Sequence, residues 1–243
     1  MNNDETAVED APAEAPAIDD TPAVDETPAD ETPAAEQPAA EPGLRGRRVL
    51  VLAVGGGLAL GLGSFLLQMT FLGWTTNSVG TWSVVAFLVG AVVAPPTRRA
   101  LLPAVTILVV ALLTWYAIAQ AVNGMYDASA VAPVLVWLVG AVVSGVVFGI
   151  AGSWWRWRCD SWRAGFGLAL LVALLASDAL YDFLWLHTPM TGWTRLVVAA
   201  AAAWVLGRRL PRYWDAPLLM VPLTAAGLAG HAALVWALSL SGG

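Results

Sequence analysis

Asp178 and Asp182 stand four residues apart inside the apolar run Ala164–Leu186, a spacing that sets both carboxylates on one face of a helix. With a rise of about 1.5 Å per residue, Asp178 lies about 12 Å from the C-terminal end of that run and Asp182 about 6 Å. An ionised Asp near the middle of a bilayer costs about 2.5–3.5 kcal/mol on the insertion scale, so such a residue is a functional candidate by default. Gln68, Gln120, Arg195 and His231 come from four other apolar runs, and Tyr181 shares the run of the two acids. This set offers three kinds of chemistry. The carboxylates can pair with Arg195 as glue between helices, with the Gln and His satisfied locally. They can bind a small solute or a cation in a pocket together with Arg195, His231, Gln68, Gln120 and Tyr181. Asp178 and His231 can also relay a proton.

Bond-making chemistry finds few tools. The chain has one cysteine, Cys159, and two histidines, His187 and His231. A lone cysteine excludes an internal disulfide and a Cys-based zinc site. No Gly-x-Ser-x-Gly, His-Glu-x-x-His or Gly-rich phosphate loop occurs. The expectation is a protein that is not an enzyme, with no catalytic residue, no metal site and no cofactor.

The elements that must position these residues are membrane helices. Of the 243 residues, 58% are apolar and 12% charged, against about 25% charged in a soluble domain, and mean hydropathy is +0.68. Seven runs approach the roughly 20 residues needed to cross a bilayer: Val49–Leu72, Val79–Ala94, Ala100–Val122, Ala130–Gly152, Ala164–Leu186, Trp193–Gly207 and Ala216–Leu238. The second and sixth are short. Arg45, Arg47, Arg48, Arg98, Arg99, Arg156, Arg158, Arg163, Arg208, Arg209 and Arg212 all fall on one side if there are seven spans, and Arg195 stands apart. By the positive-inside rule that side is cytoplasmic, which places the N-terminus inside and the C-terminus outside. Trp74, Trp82, Trp185 and Trp193 then mark outer boundaries, and Trp154, Trp155, Trp157, Trp162, Trp204 and Trp214 inner ones, as amphipathic rings prefer. The polar residues of the opening paragraph collect in the outer half, which suggests a cavity or network open to the outside.

The net charge of −6 conceals a segregation, since residues 1–43 hold thirteen of the eighteen acids and no Arg. Low hydrophobicity, high charge and regular Pro predict a disordered acidic cytoplasmic tail over 1–43, ahead of an all-α transmembrane domain over 44–243. The tail lacks the basic start and apolar stretch of a signal peptide. It is either a solvating segment or a docking arm for a basic partner. The basic residues sit in short groups between apolar runs, which excludes a nucleic-acid surface. Small residues recur at four-residue spacing, with Gly57 and Gly61, and Ala59 and Gly63, in the first span, and Gly140, Ser144, Gly145 and Gly149 in the fourth. Such faces let backbones approach, either within the bundle or against a second subunit or copy. The absence of Lys and the excess of Ala, Gly, Val, Leu and Arg point to a GC-rich bacterial genome, and so to the plasma (inner) membrane.

The most distinctive stretch is Asn77-Ser-Val-Gly-Thr-Trp82-Ser-Val-Val-Ala-Phe-Leu-Val-Gly90, followed by Arg98-Arg99. With Trp137-Leu138 and the series Gly145, Gly149, Gly152, it resembles an uncharacterised family of small multi-pass membrane proteins from high-GC Gram-positive bacteria, over roughly Gly57–Leu238. That resemblance implies location and helix architecture and lends no catalytic residue. A looser likeness is to the substrate-binding membrane subunits of energy-coupling-factor vitamin transporters, which have six spans where seven are counted here. The leading expectation is a solute-binding or transport subunit with a polar pocket in the outer half of the membrane. The alternative is a scaffold that recruits partners through its Gly-rich faces and acidic tail.

Overall fold

The computed structural model describes residues 46–76, 78–93, 95–124, 131–158, 161–210 and 216–240. The acidic tail, Arg45, Cys159, Arg212 and Trp214 lie outside the described residues. Within them the chain is all helical: α1 (Arg47–Gln68), a four-residue turn of helix α2 (Gly73–Thr76), α3 (Val79–Val92), α4 (Arg98–Asn123), α5 (Val131–Trp157), α6 (Trp162–Tyr181), α7 (Pro189–Gly207) and α8 (Ala216–Leu240). A π-helical turn, Asp182–Leu186, extends α6.

Six of these helices are long and apolar enough to cross a membrane. The sixth apolar run gains length at its start, because Pro189 supplies a ready-made first turn four residues ahead of Trp193. The second run behaves differently. α3 ends at Val92 and has 14 residues, about 21 Å of helix against a hydrocarbon core of about 30 Å. It is nevertheless an inner element, packed on α4, α5 and α6, with Ala86 and Phe87 fully buried.

α6 is the centre of the bundle, touching α3, α5, α7 and α8. It is the most buried of the long helices, whereas α8 rests chiefly on α6 and leaves most of its surface exposed. α1 is held chiefly by α4. Gly57 and Gly61 make that contact possible, since a Cβ at either would run into the α4 backbone at Ile107 or Ala111. α3 meets α5 in the same way, with Gly90 against the Gly149 carbonyl and Gly152 against the Phe87 carbonyl. Bare backbones in contact gain dispersion energy where lipid offers no hydrophobic drive. The small-residue faces of the sequence are thus largely used within the chain; Gly63 and Gly140 are not, since a Cβ there would meet nothing.

One end of the bundle is basic and rich in Trp. Val49, Val93 and Ala100 join the start of α1, the end of α3 and the start of α4. The Trp155 indole donates to the Leu206 carbonyl at 3.1 Å, which ties the end of α5 to the end of α7. Arg209 lies over the Trp155 ring, and Arg163 over Trp154 and Trp162. These contacts gather the Arg-flanked ends of the helices at one face, and the polar residues named first lie toward the other.

Candidate functional site

The Asp178 carboxylate is fully buried and is reached from three neighbouring helices. From α3, the Gly80 N–H donates to Asp178 Oδ2 at 3.0 Å, and the Ser78 hydroxyl donates to the same oxygen. Ser78 also caps α3, its Oγ accepting from the Thr81 N–H at 3.1 Å. The carboxylate therefore sits at a helix N-terminus, where unpaired N–H groups and the helix dipole favour negative charge. From α7, Arg195 Nη1 lies 3.6 Å from Asp178 Oδ2. From α8, His231 Nε2 lies 2.8 Å from Asp178 Oδ1. Position 80 must be glycine for this to close, because a Cβ would come within 2.7 Å of Asp178 Oδ2 and 3.0 Å of Leu175.

Asp182, one turn on, is equally buried but less well held. Its Oδ2 lies 3.2 Å from Arg195 Nε, and no hydrogen-bond donor meets its Oδ1 among the described residues. It begins the π-helical turn, and the backbone N–H groups of His187 and Thr188 both donate to the Asp182 carbonyl, the latter at 3.0 Å.

His231 Nδ1 is 3.0 Å from the Gly227 carbonyl, which can only accept, so Nδ1 carries a hydrogen. Arg195 faces both carboxylates and His231 Nε2 faces Asp178, so each buried acid has a basic partner, as a low-dielectric interior demands. Tyr181 stacks on the imidazole with ring centroids 5.0 Å apart, and Trp185 stacks on Tyr181 at 5.6 Å, so the ring plane is held by packing as well as by its two nitrogens.

A cavity of about 560 Å³ lies beside this network, between α3, α4 and α5 on one side and α8 on the other, with Leu174 of α6 at its floor. Its wall is mostly apolar and aromatic, with Trp82, Trp115, Tyr116, Trp137 and Phe148 the largest groups. Ser78 and His231 belong to both the wall and the network, while Asp178, Asp182 and Arg195 do not line the cavity. The remaining polar groups include Gln68, Thr76, the Tyr116 hydroxyl and Ser144, the last paired with Ser83 at 2.7 Å. The volume falls within the roughly 300–1,000 Å³ of small-molecule sites.

The seven residues singled out in the sequence separate into three groups. Asp178, Asp182, Arg195 and His231 form one ionic network, with Tyr181 stacked on it. Gln68 lines the cavity. Gln120 is on an exposed face of α4, outside the cavity wall. Equal depth places it with the others in the sequence. The charged side chains form a buried ion network, and a mostly apolar cavity lies beside it. Ser78 and Gly80 were missed as partners, although a Ser directly before an apolar run is an N-cap signal. Trp137, Gly140, Gly227 and Gly230 were missed because an apolar residue facing a cavity reads like one facing lipid.

The chain belongs to a family of unknown function, DUF6518, whose model matches residues 41–237. No curated protein and no solved structure matches it.

Replacing Asp178 by Ala removes the link among α3, α6, α7 and α8 and leaves Arg195 short of a partner. Breaking a buried pair in this way costs about 3–5 kcal/mol. Asp182→Ala, which removes one ion contact and leaves Arg195 on Asp178, is expected to cost less. Thermal melting of the two variants in one detergent checks the order; equal melting points, or Asp182→Ala the weaker protein, would contradict it.

Proposed function

We propose that this chain is a seven-span membrane protein that binds a small, largely uncharged molecule in the cavity beside the Asp178 network, acting as a binding or transport subunit. The observation that carries the reading is His231, whose ring is shared between the cavity wall and the buried ions. A molecule that touches His231 or Ser78 thereby touches the contacts that fasten α8 and α3 to α6. Binding and helix arrangement are coupled through those two side chains, which is what a transport or signalling step requires.

The charge arrangement favours an uncharged solute over a cation. Arg195 already lies on both carboxylates and supplies the positive charge that a cation would bring. The scaffold alternative is less well supported, because Gly57, Gly61, Gly145 and Gly149 are spent on contacts with α4 or α3 within the chain. No catalytic step is assigned. The basic ends of the helices favour a cytoplasmic placement for that face, and hence for the N-terminus, with α3 as the short seventh span.

Two measurements test these points. A ligand at about 100 times its Kd adds about 2.7 kcal/mol of stability, and for a chain of this size that raises Tm by about 5–10 °C. In a screen of purified protein against uncharged small molecules, at least one compound is expected to give such a rise. Gly140→Leu is expected to abolish it while folding normally, since a Cβ at Gly140 meets nothing within 4 Å and its side chain has open cavity to fill. A screen with no hit, or a hit that Gly140→Leu retains, would sink the binding claim. For orientation, Cys159 directly follows Arg158 in sequence. In intact cells it is expected to resist a membrane-impermeant maleimide and to react after permeabilisation; labelling of intact cells would reverse the topology.

A further inference from the structure

We propose that the cavity is a lateral site for a single-chain amphiphile with an uncharged head, which enters from the bilayer between α5 and α8. This rests on the binding reading above and names the ligand class and its route. Three observations carry it.

The first is where the cavity opens. Its exposed wall residues are Val143 and Val147 of α5 and Gly230 of α8, with Val143 55% exposed and no polar side chain among them. α5 and α8 flank the cavity yet scarcely touch one another. An apolar gap between two lipid-facing helices admits what is dissolved in lipid and offers a hydrated solute nothing.

The second is the shape and polarity of the interior. The wall follows α5 from Trp137 to Phe148, about 17 Å of helix, and α4 from Leu108 to Tyr116, about 12 Å. Polar side chains are concentrated at one end, where Gln68 closes α1, Thr76 and Ser78 precede α3, and His231 stands on α8. Toward the other end, around Leu108, Val147 and Phe148, the wall is apolar apart from Ser144, whose hydroxyl pairs with Ser83. That gradient parallels the bilayer's own, with a head near the surface and a chain toward the midplane.

The third is charge. The wall contains no Asp, Glu or Arg, and its one basic side chain, His231, already faces Asp178 at 2.8 Å. A charged head would find no counter-charge, whereas a hydroxyl can donate to the second lone pair of Ser78 Oγ. The ligand is therefore a neutral amphiphile such as a long-chain alcohol, and a fatty acid is excluded by its carboxylate.

The test uses the full chain reconstituted in phosphatidylcholine vesicles, with a diazirine-bearing long-chain alcohol as probe and the matching fatty acid as control. After irradiation the labelled residues are mapped by mass spectrometry. The expected result is labelling concentrated between Trp137 and Phe148 and between Gly227 and Leu234, removed by excess unlabelled alcohol and left unaffected by excess fatty acid. Gly140→Leu is expected to lose this labelling, and Gly230→Leu serves as a second filling variant, because a Cβ there also meets nothing. Labelling spread evenly over lipid-facing residues such as Val51 and Leu218, without competition, overturns the proposal. Equal competition by the fatty acid overturns the claim of a neutral head. If a water-soluble compound stabilises the protein and loses its effect in Gly140→Leu while the alcohol neither labels nor competes, the amphiphile fails and the small-molecule reading survives. If neither acts, both fall.

Discussion

A carboxylate placed in the apolar interior of a helical bundle must be matched, and the matching of Asp178 organises the half of this molecule in which it lies. The residue belongs to the central helix, and its partners arrive from α3, α7 and α8. Each partner answers a different need. The α3 N-terminus offers an N–H and a capping hydroxyl, Arg195 offers fixed charge, and His231 offers a ring nitrogen 2.8 Å from the second carboxylate oxygen. α8 has little else to hold it, since it leaves most of its surface exposed and rests mainly on α6. The Asp178–His231 contact is thus a strong local constraint on the most weakly packed long helix. The close approach of Gly227 to Ser177 lets α8 come near enough to make it.

The cavity follows from the same arrangement. α8 is drawn to α6 by the network and does not close against α5, so space remains between α5 and α8. Aromatic side chains from α3, α4 and α5 bound that space without filling it. The polar network is kept out of the cavity except where Ser78 and His231 show through. A site with an apolar body and a small polar corner, joined to the contacts that hold two helices, can report occupancy as a change in helix packing.

Much of the fold was legible in the sequence, and particular residues show why. Run length and polar flanks gave the helices, because both are one-dimensional properties. Asp178, Asp182, Arg195 and His231 stood out because charge in an apolar run is costly and needs an answering charge. Depth alone could not say which way a side chain points around its helix, and so Gln120, exposed on α4 and outside the cavity wall, was grouped with the residues of the cavity and the network. Ser78 and Gly80 contribute an ordinary capping hydroxyl and a backbone N–H, which carry no signal of a long-range partner. They do lie in the stretch Asn77–Gly90, the most distinctive of the chain, and the need for a bare backbone at Gly80 gives that stretch a physical reason. The length of α3 was overestimated by two residues, since apolar composition continues past the point where Val93 turns extended ahead of Pro95 and Pro96.

The central claim is that Asp178 and Arg195 act as parts of one ionic unit. A double-mutant cycle of Asp178→Asn and Arg195→Gln, read as unfolding free energy in a single detergent, addresses it most directly. Each single variant leaves a buried charge without its match, and the double variant removes both charges together. The account predicts that the double variant loses less than the sum of the singles, with a coupling of about 0.5–3 kcal/mol. Losses that add to within about 0.3–0.5 kcal/mol would show two independent sites and contradict it.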